Sequence, residues 1–191
     1  MTALCTVVLA LICENRVQVA ARLNERSVMS NPSRLDGDIC LYLDDLQVGQ
    51  RFSSGVHSID DAQIKAFASQ FDPQPFHLDD EIAKTTMFGG LIASGWHTAA
   101  ITMRLLVGGG APLAGGIIGA GGEISWPRPT HPGDMLRVES EVLEVKPSRS
   151  RPDSGIVIVR SETRNHRDEI VQILTAKLVV PRRPTEPSKS P

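Results

Sequence analysis

The chain has 191 residues, enough for one domain with a sizeable core and too few for two comfortable ones. Its 20 basic and 22 acidic residues nearly cancel at a net charge of −2, and only 4% of residues are aromatic. That balance argues against a dedicated nucleic-acid binder, which needs a basic face or a stacking platform.

The apolar run from Ala3 to Cys13 opens the chain. It is too short to span a membrane and lacks the basic start of a secretory signal, so no membrane association is expected. Residues 1–38 read as an N-terminal extension, and Met29, followed by Ser30-Asn31-Pro32-Ser33, marks 1–28 as lying outside the working domain. Cys5, Cys13 and Cys40 show neither a paired framework nor a metal-type spacing. No disulfide and no metal site is expected, and the pattern fits a reducing cytoplasm.

Residues 39–181 carry the strong patterns. Asp60 is a helix cap with Gln63 three residues on, and Ile64, Phe67 and Phe71 follow at helical spacing. This helix must end by Asp72, because Pro73 disfavours helical geometry in the residue before it. A second helix is expected over 79–86. A third, over 95–107, is apolar almost all round and reads as a buried central helix stopped by Gly108-Gly109-Gly110. The period then changes. Strands are expected over 116–126, 136–141, 156–163 and 170–180, the last two joined by a turn at Asn165–Asp168. Short turns between consecutive strands imply an antiparallel sheet, so the fold class is α+β, a single domain with its sheet covered by the apolar helix. The Pro- and Ser-rich residues 182–191 read as a disordered tail.

The chemistry concentrates in Phe71-Asp72-Pro73-Gln74-Pro75-Phe76-His77. A carboxylate and an imidazole sit five residues apart on a segment stiffened by two prolines. Two groups of complementary proton affinity on a rigid loop suit acid–base work on a bound water. The bland alternative is a histidine that serves only as a structural donor, and spacing alone does not exclude it. A second element is Ser94-Gly95-Trp96-His97 at the start of the apolar helix. Its first N–H groups have no internal partner, and Gly95 lets a ligand oxygen approach, so the turn could hold a carbonyl that gains charge. The alternative there is a plain helix start capped by Ser94. His97 reads as a packed histidine. Lys146, Arg149 and Arg151 read as a solvated loop. Gly119, Gly121 and Gly122 read as letting a strand pass close to the central helix or to a bound ligand.

The order of these pieces resembles the MaoC-like dehydratase family, which includes the (R)-specific enoyl-CoA hydratases. The resemblance rests on Asp72-x-x-x-x-His77, Ala83-Lys84-Thr85-Thr86-Met87-Phe88, the Gly95 helix start, Trp126-Pro127-Arg128-Pro129 and Pro132-Gly133-Asp134, and it covers about residues 41–181. It implies a hot-dog fold, an antiparallel sheet wrapped around a long central helix, and a homodimer. It implies that the coenzyme A thioester is the substrate, with no separate cofactor. Asp72 and His77 would orient and activate water for addition to a trans-2-enoyl-CoA, and the Gly95 N–H would polarise the thioester carbonyl. Ser94, Trp96 and Phe76 are expected to contact substrate. Ser94 stands where several hydratases of the family carry His, and Trp96 is bulkier than the usual residue. Two rival readings are a hot-dog thioesterase and a non-catalytic acyl-CoA-binding subunit. The first wants an acidic residue on the central helix, and 95–107 contains none; the second would be expected if the Asp72/His77 pair were missing.

Overall fold

The computed structural model describes residues 40–184; residues 1–39 and 185–191, which hold the expected extension and most of the expected tail, lie outside them. At the start of that tail, Arg182 and Arg183 pair with Asp44 and Asp45.

A single 3-10 turn (Leu43–Asp45) comes first, then short strands β1 (Arg51–Ser53) and β2 (His57–Ser58), followed by helix α1 (Asp61–Phe71). The Asp60 carboxylate caps α1 by accepting the Gln63 N–H at 2.8 Å. Ile64 and Ala68 are its buried face, and Pro73 ends it as expected. The helix expected over 79–86 is present but shorter, as α3 (Asp80–Lys84), and the segment expected as a rigid loop before it carries a further short helix, α2 (Pro75–Leu78). Pro75 fits the first position of α2, where no N–H is needed. Asp79 then caps α3 by accepting from the Glu81 and Ile82 N–H groups, and that non-helical cap separates the two.

The central helix α4 (Gly95–Leu105) runs into a wider turn, Leu106–Gly110. The expected extent to Val107 is cut back because the three glycines that follow stabilise helix poorly, and Gly109 takes φ +131°.

Strands β3 (Ile118–Ser125), β4 (Met135–Pro147), β5 (Ser154–Arg164) and β6 (Ile170–Pro181) complete an antiparallel sheet of order β1-β4-β5-β6-β3, with β2 also on β4. Along β5, Val157, Val159, Ser161 and Thr163 turn inward while Ile156, Ile158, Arg160 and Glu162 turn outward. The inward side chains meet α4 and the turn after it: Ile101, Leu105 and Leu106 join Val138, Val142, Val157, Val171, Leu178 and Val180 in one apolar cluster. Burying each such side chain contributes about 1.5–3 kcal/mol, so a charge at Val157, which is fully buried, would break the sheet–helix contact.

One glycine of β3 departs from the expected close pass by the central helix, while Gly119 and Gly121 border open space. A Cβ on Gly122 would lie 2.6 Å from the Thr175 carbonyl oxygen, so the close approach is to the neighbouring strand β6, not to the helix. The register shifts between Gly119 and Gly121, a bulge that bends this edge strand. The sheet covered by one long helix is the hot-dog arrangement.

Candidate active site

Asp72 stands at the C-terminus of α1, and His77 lies on α2 one short loop later. The loop is closed by its own backbone, with Gln74 N–H on the Asp72 carbonyl at 2.8 Å and His77 N–H on the Gln74 carbonyl at 2.9 Å. His77 is 4% exposed, and its Nδ1 lies 2.8 Å from the Ile92 carbonyl oxygen. A carbonyl can only accept, so Nδ1 carries a proton and the ring turns its Nε2 edge towards Asp72. That Nε2 lies 3.4 Å from Asp72 Oδ2.

The Asp72 carboxylate accepts from the Ser94 hydroxyl at 2.6 Å and from the Gln74 amide at 2.8 Å. The Ser94 bond above all, with Gln74 and the adjacent His77 helping, holds Asp72 below the usual carboxylate range although burial opposes it. Asp72 is therefore ionised at neutral pH. Asp72 Oδ2 and His77 Nε2 thus stand 3.4 Å apart, near enough to contact one small polar molecule together.

Ser94 is 1% exposed. Its oxygen also accepts the Trp96 N–H at 3.2 Å, which caps α4. The Gly95 N–H has no partner among the described residues. The preceding strip is pinned by the Ala93 N–H on the Thr130 carbonyl at 2.9 Å, and Thr98 on α4 donates to the Thr130 hydroxyl at 3.0 Å.

These groups share a cavity of about 620 Å³, lined among others by Asp72, Phe76, His77, Ser94, Gly95 and Trp96. The structure thus brings all six expected site residues together. Phe76 packs edge-on to His77 at 4.5 Å between centroids, and on Phe88 at 5.5 Å. Trp96 is 61% exposed and also lines a second, apolar cavity of about 360 Å³ with Met103, Leu106 and the glycines of β3.

His97 points away from this site. It stacks on Phe67 at 4.5 Å, and its buried Nδ1 has no partner. Burial first, with His57 second, pushes it below the usual histidine value. The Pro132-Gly133-Asp134 turn is structural: Gly133 N–H bonds the Ile59 carbonyl and Ile59 N–H bonds the Asp134 carbonyl, which fixes the entry to α1. Among the described residues no cluster of three metal-ligating side chains occurs, and no helix is long and apolar enough to cross a membrane.

Sequence reasoning missed the Ile92 carbonyl, the Gln74 amide, and the lining residues Thr130 and Arg128. The first is a backbone group and carries no residue signal. The others become neighbours of Asp72 only once the loop and the segment after β3 have folded.

The fold, the helix-start geometry and the acid–base loop describe a hydratase/dehydratase-type hot-dog protein, and comparison with known proteins bears on that directly. The family model described as a MaoC-like domain matches residues 46–165, and the chain belongs to the MaoC-like dehydratase family. The crystal structure of the MaoC-like dehydratase from Rhodospirillum rubrum is 64% identical, covering 76% of this chain and 99% of that one with a TM-score of 0.75. The R-hydratase PhaJ1 of Pseudomonas aeruginosa is 28% identical over 78% of this chain and 93% of that one, with a TM-score of 0.59. The 3-hydroxybutyryl-CoA dehydratase of Methylorubrum extorquens is 33% identical over 115 residues, 58% of this chain and 69% of that protein.

Proposed function

We propose that this chain catalyses the reversible addition of water to a trans-2-enoyl-CoA, giving a 3-hydroxyacyl-CoA. The observation that carries the reading is the 3.4 Å approach of Asp72 Oδ2 and His77 Nε2 in a cavity that also holds the free N–H end of α4. The R-hydratase and CoA-dehydratase names of its relatives support it.

Asp72 takes one hydrogen of a water and His77 Nε2 holds the same water in place, which leaves an oxygen lone pair for the β-carbon. As the C–O bond forms, the proton lost by water passes to the pair. Electrons move through the α-carbon to the thioester oxygen, where the Gly95 N–H and the positive end of α4 receive the charge. A proton from the same pair completes the α-carbon, so no proton is gained or lost overall. Ser94 orients the base, Phe76 packs on the imidazole, and Trp96 walls the acyl side. No separate cofactor enters these steps.

The reading includes a cytoplasmic homodimer. Beyond β6, strand β3 pairs with no described strand, and Ile118 on it is exposed, as are Trp96 and Met103 across the apolar cavity. Such an edge needs cover.

The test is hydration of crotonyl-CoA and longer 2-enoyl-CoAs, followed by loss of enoyl thioester absorbance. Asp72→Asn and His77→Gln should each lower kcat by at least about 10²-fold with folding intact. Wild-type turnover by both variants would defeat the reading.

A further inference from the structure

A glutamine lies deep in the core behind the site, on a strand that is otherwise apolar there. Gln172 on β6 is 1% exposed, and a buried amide is costly unless all its partners are met. Here they are met in one sense only. The indole N–H of Trp126 can only donate, and it lies 2.9 Å from Gln172 Oε1. That leaves Gln172 Nε2 to donate to Thr102 Oγ1, also at 2.9 Å. Thr102, on α4, donates in turn to the Thr98 carbonyl at 2.9 Å. It accepts from Thr163 on β5 at 2.6 Å. Every polar atom of this buried chain is satisfied, and the amide cannot flip without breaking two bonds.

The free end of the chain is the Trp126 indole, which rests on Gly95. A Cβ placed on Gly95 would lie 2.9, 3.0 and 3.2 Å from three atoms of that ring. The aromatic ring therefore touches the backbone of the residue whose N–H is unpaired. Trp126 has a second neighbour, the Trp96 ring, edge-on at 5.5 Å between centroids.

We propose that Gln172 is a positioning residue. By holding the Trp126 indole against Gly95 and tying it to α4 through Thr102, it fixes the N-terminal turn of α4 where the thioester carbonyl must sit. This rests on the hydratase reading above. The rationale is geometric: an N–H donor stabilises a developing oxyanion only over a narrow range of distance, and displacement by about 1 Å can lower the rate 10²-fold. The Ser94 cap and the Thr130 bonds hold the residues on either side, but the Gly95 N–H has no hydrogen bond of its own to resist such displacement. The brace supplies the resistance from behind.

The experiment uses the full chain with crotonyl-CoA and two variants. Trp126→Phe keeps an aromatic ring over Gly95 but removes the N–H, and Gln172→Leu removes the amide. Each should lower kcat by about 10-fold or more with KM changed by less than about threefold, because the carbonyl contact matters most in the transition state. The double variant should be no slower than the slower single variant, since both act through one contact. A general packing defect would instead give additive losses. Additive losses in kcat, or a folded Gln172→Leu protein with wild-type kcat, overturn the positioning role while the hydratase reading stands. If Gln172→Leu does not fold, unchanged kcat in Trp126→Phe overturns it equally. A wild-type chain inactive on every 2-enoyl-CoA would refute the hydratase reading first, and the role of Gln172 with it.

Discussion

Replacing Ser94 with alanine removes one oxygen that serves two partners. It deletes the cap bond to the Trp96 N–H, at 3.2 Å, and the donor to Asp72, at 2.6 Å. Losing a Ser cap costs about 1 kcal/mol, and a hydrogen bond to a charged group contributes about 1.5–3 kcal/mol. Asp72 keeps its Gln74 bond, so the total should be near 2–3 kcal/mol, a fall in Tm of about 5–10 °C for a domain of this size. The kinetic consequence is more specific. The Ser94 bond is the main reason Asp72 stays below the usual carboxylate range. Without it the base takes up a proton at higher pH, so the acid limb of the kcat/KM profile on crotonyl-CoA moves upward while the alkaline limb stays. Ser94→Thr, which restores a hydroxyl, should return the limb towards wild type. An alanine variant that loses stability but keeps its acid limb would show that the hydroxyl is only a cap.

Three further outcomes follow from contacts already described. Gly95→Ala puts a methyl group into the Trp126 ring, which should cost about 1–3 kcal/mol of stability by overpacking and about 10²–10³-fold in kcat through the displaced donor; melting and steady-state kinetics read both, and unchanged kcat would remove the N–H from the mechanism. Trp96→Ala should join the two cavities it lines and raise kcat/KM for octenoyl-CoA relative to crotonyl-CoA by about tenfold; an unchanged ratio would mean that Trp96 does not separate them. His97 titrates lower in the folded chain than in the unfolded one, so its stability contribution is complete above the unfolded value and is lost as pH falls through that value towards the folded one. The Tm of the wild type should thus fall between about pH 7.5 and 5.5, across the ordinary histidine range, and His97→Phe should fall less; parallel curves would clear His97.

Much of this was legible in the sequence for local reasons. The Asp60 cap and Pro73 bound α1 from both ends. The switch from helical to alternating spacing after Gly110 separated the helix from the strands. Asp72 and His77 could be paired because they are loop neighbours, and Gly95 because a helix start announces free N–H groups. Strands β1 and β2 were not legible: two or three residues have no period, and β4 selects them by pairing. Nor was the short helix Pro75–Leu78 within the expected loop, which stays separate from the next helix because the Asp79 side chain takes the Glu81 and Ile82 N–H bonds. Gln172 did leave a trace, as a polar residue in the phase of Leu174, Leu178 and Val180. Its partners Trp126, Thr102 and Thr163 come from three other segments, and no spacing rule connects them.

The Ser94 bridge has a stereochemical consequence. The groups that would hold the water, and the N–H that would receive the carbonyl, meet at one serine: its hydroxyl touches Asp72, and its own peptide bond carries the Gly95 N–H. On the hydratase reading, an enoyl thioester anchored at that N–H would lie with one face towards Asp72 and His77 and the other towards the opposite wall. The hydroxyl would then arrive from one side only, and the alcohol carbon would form in a single handedness at every acyl length the cavity accepts.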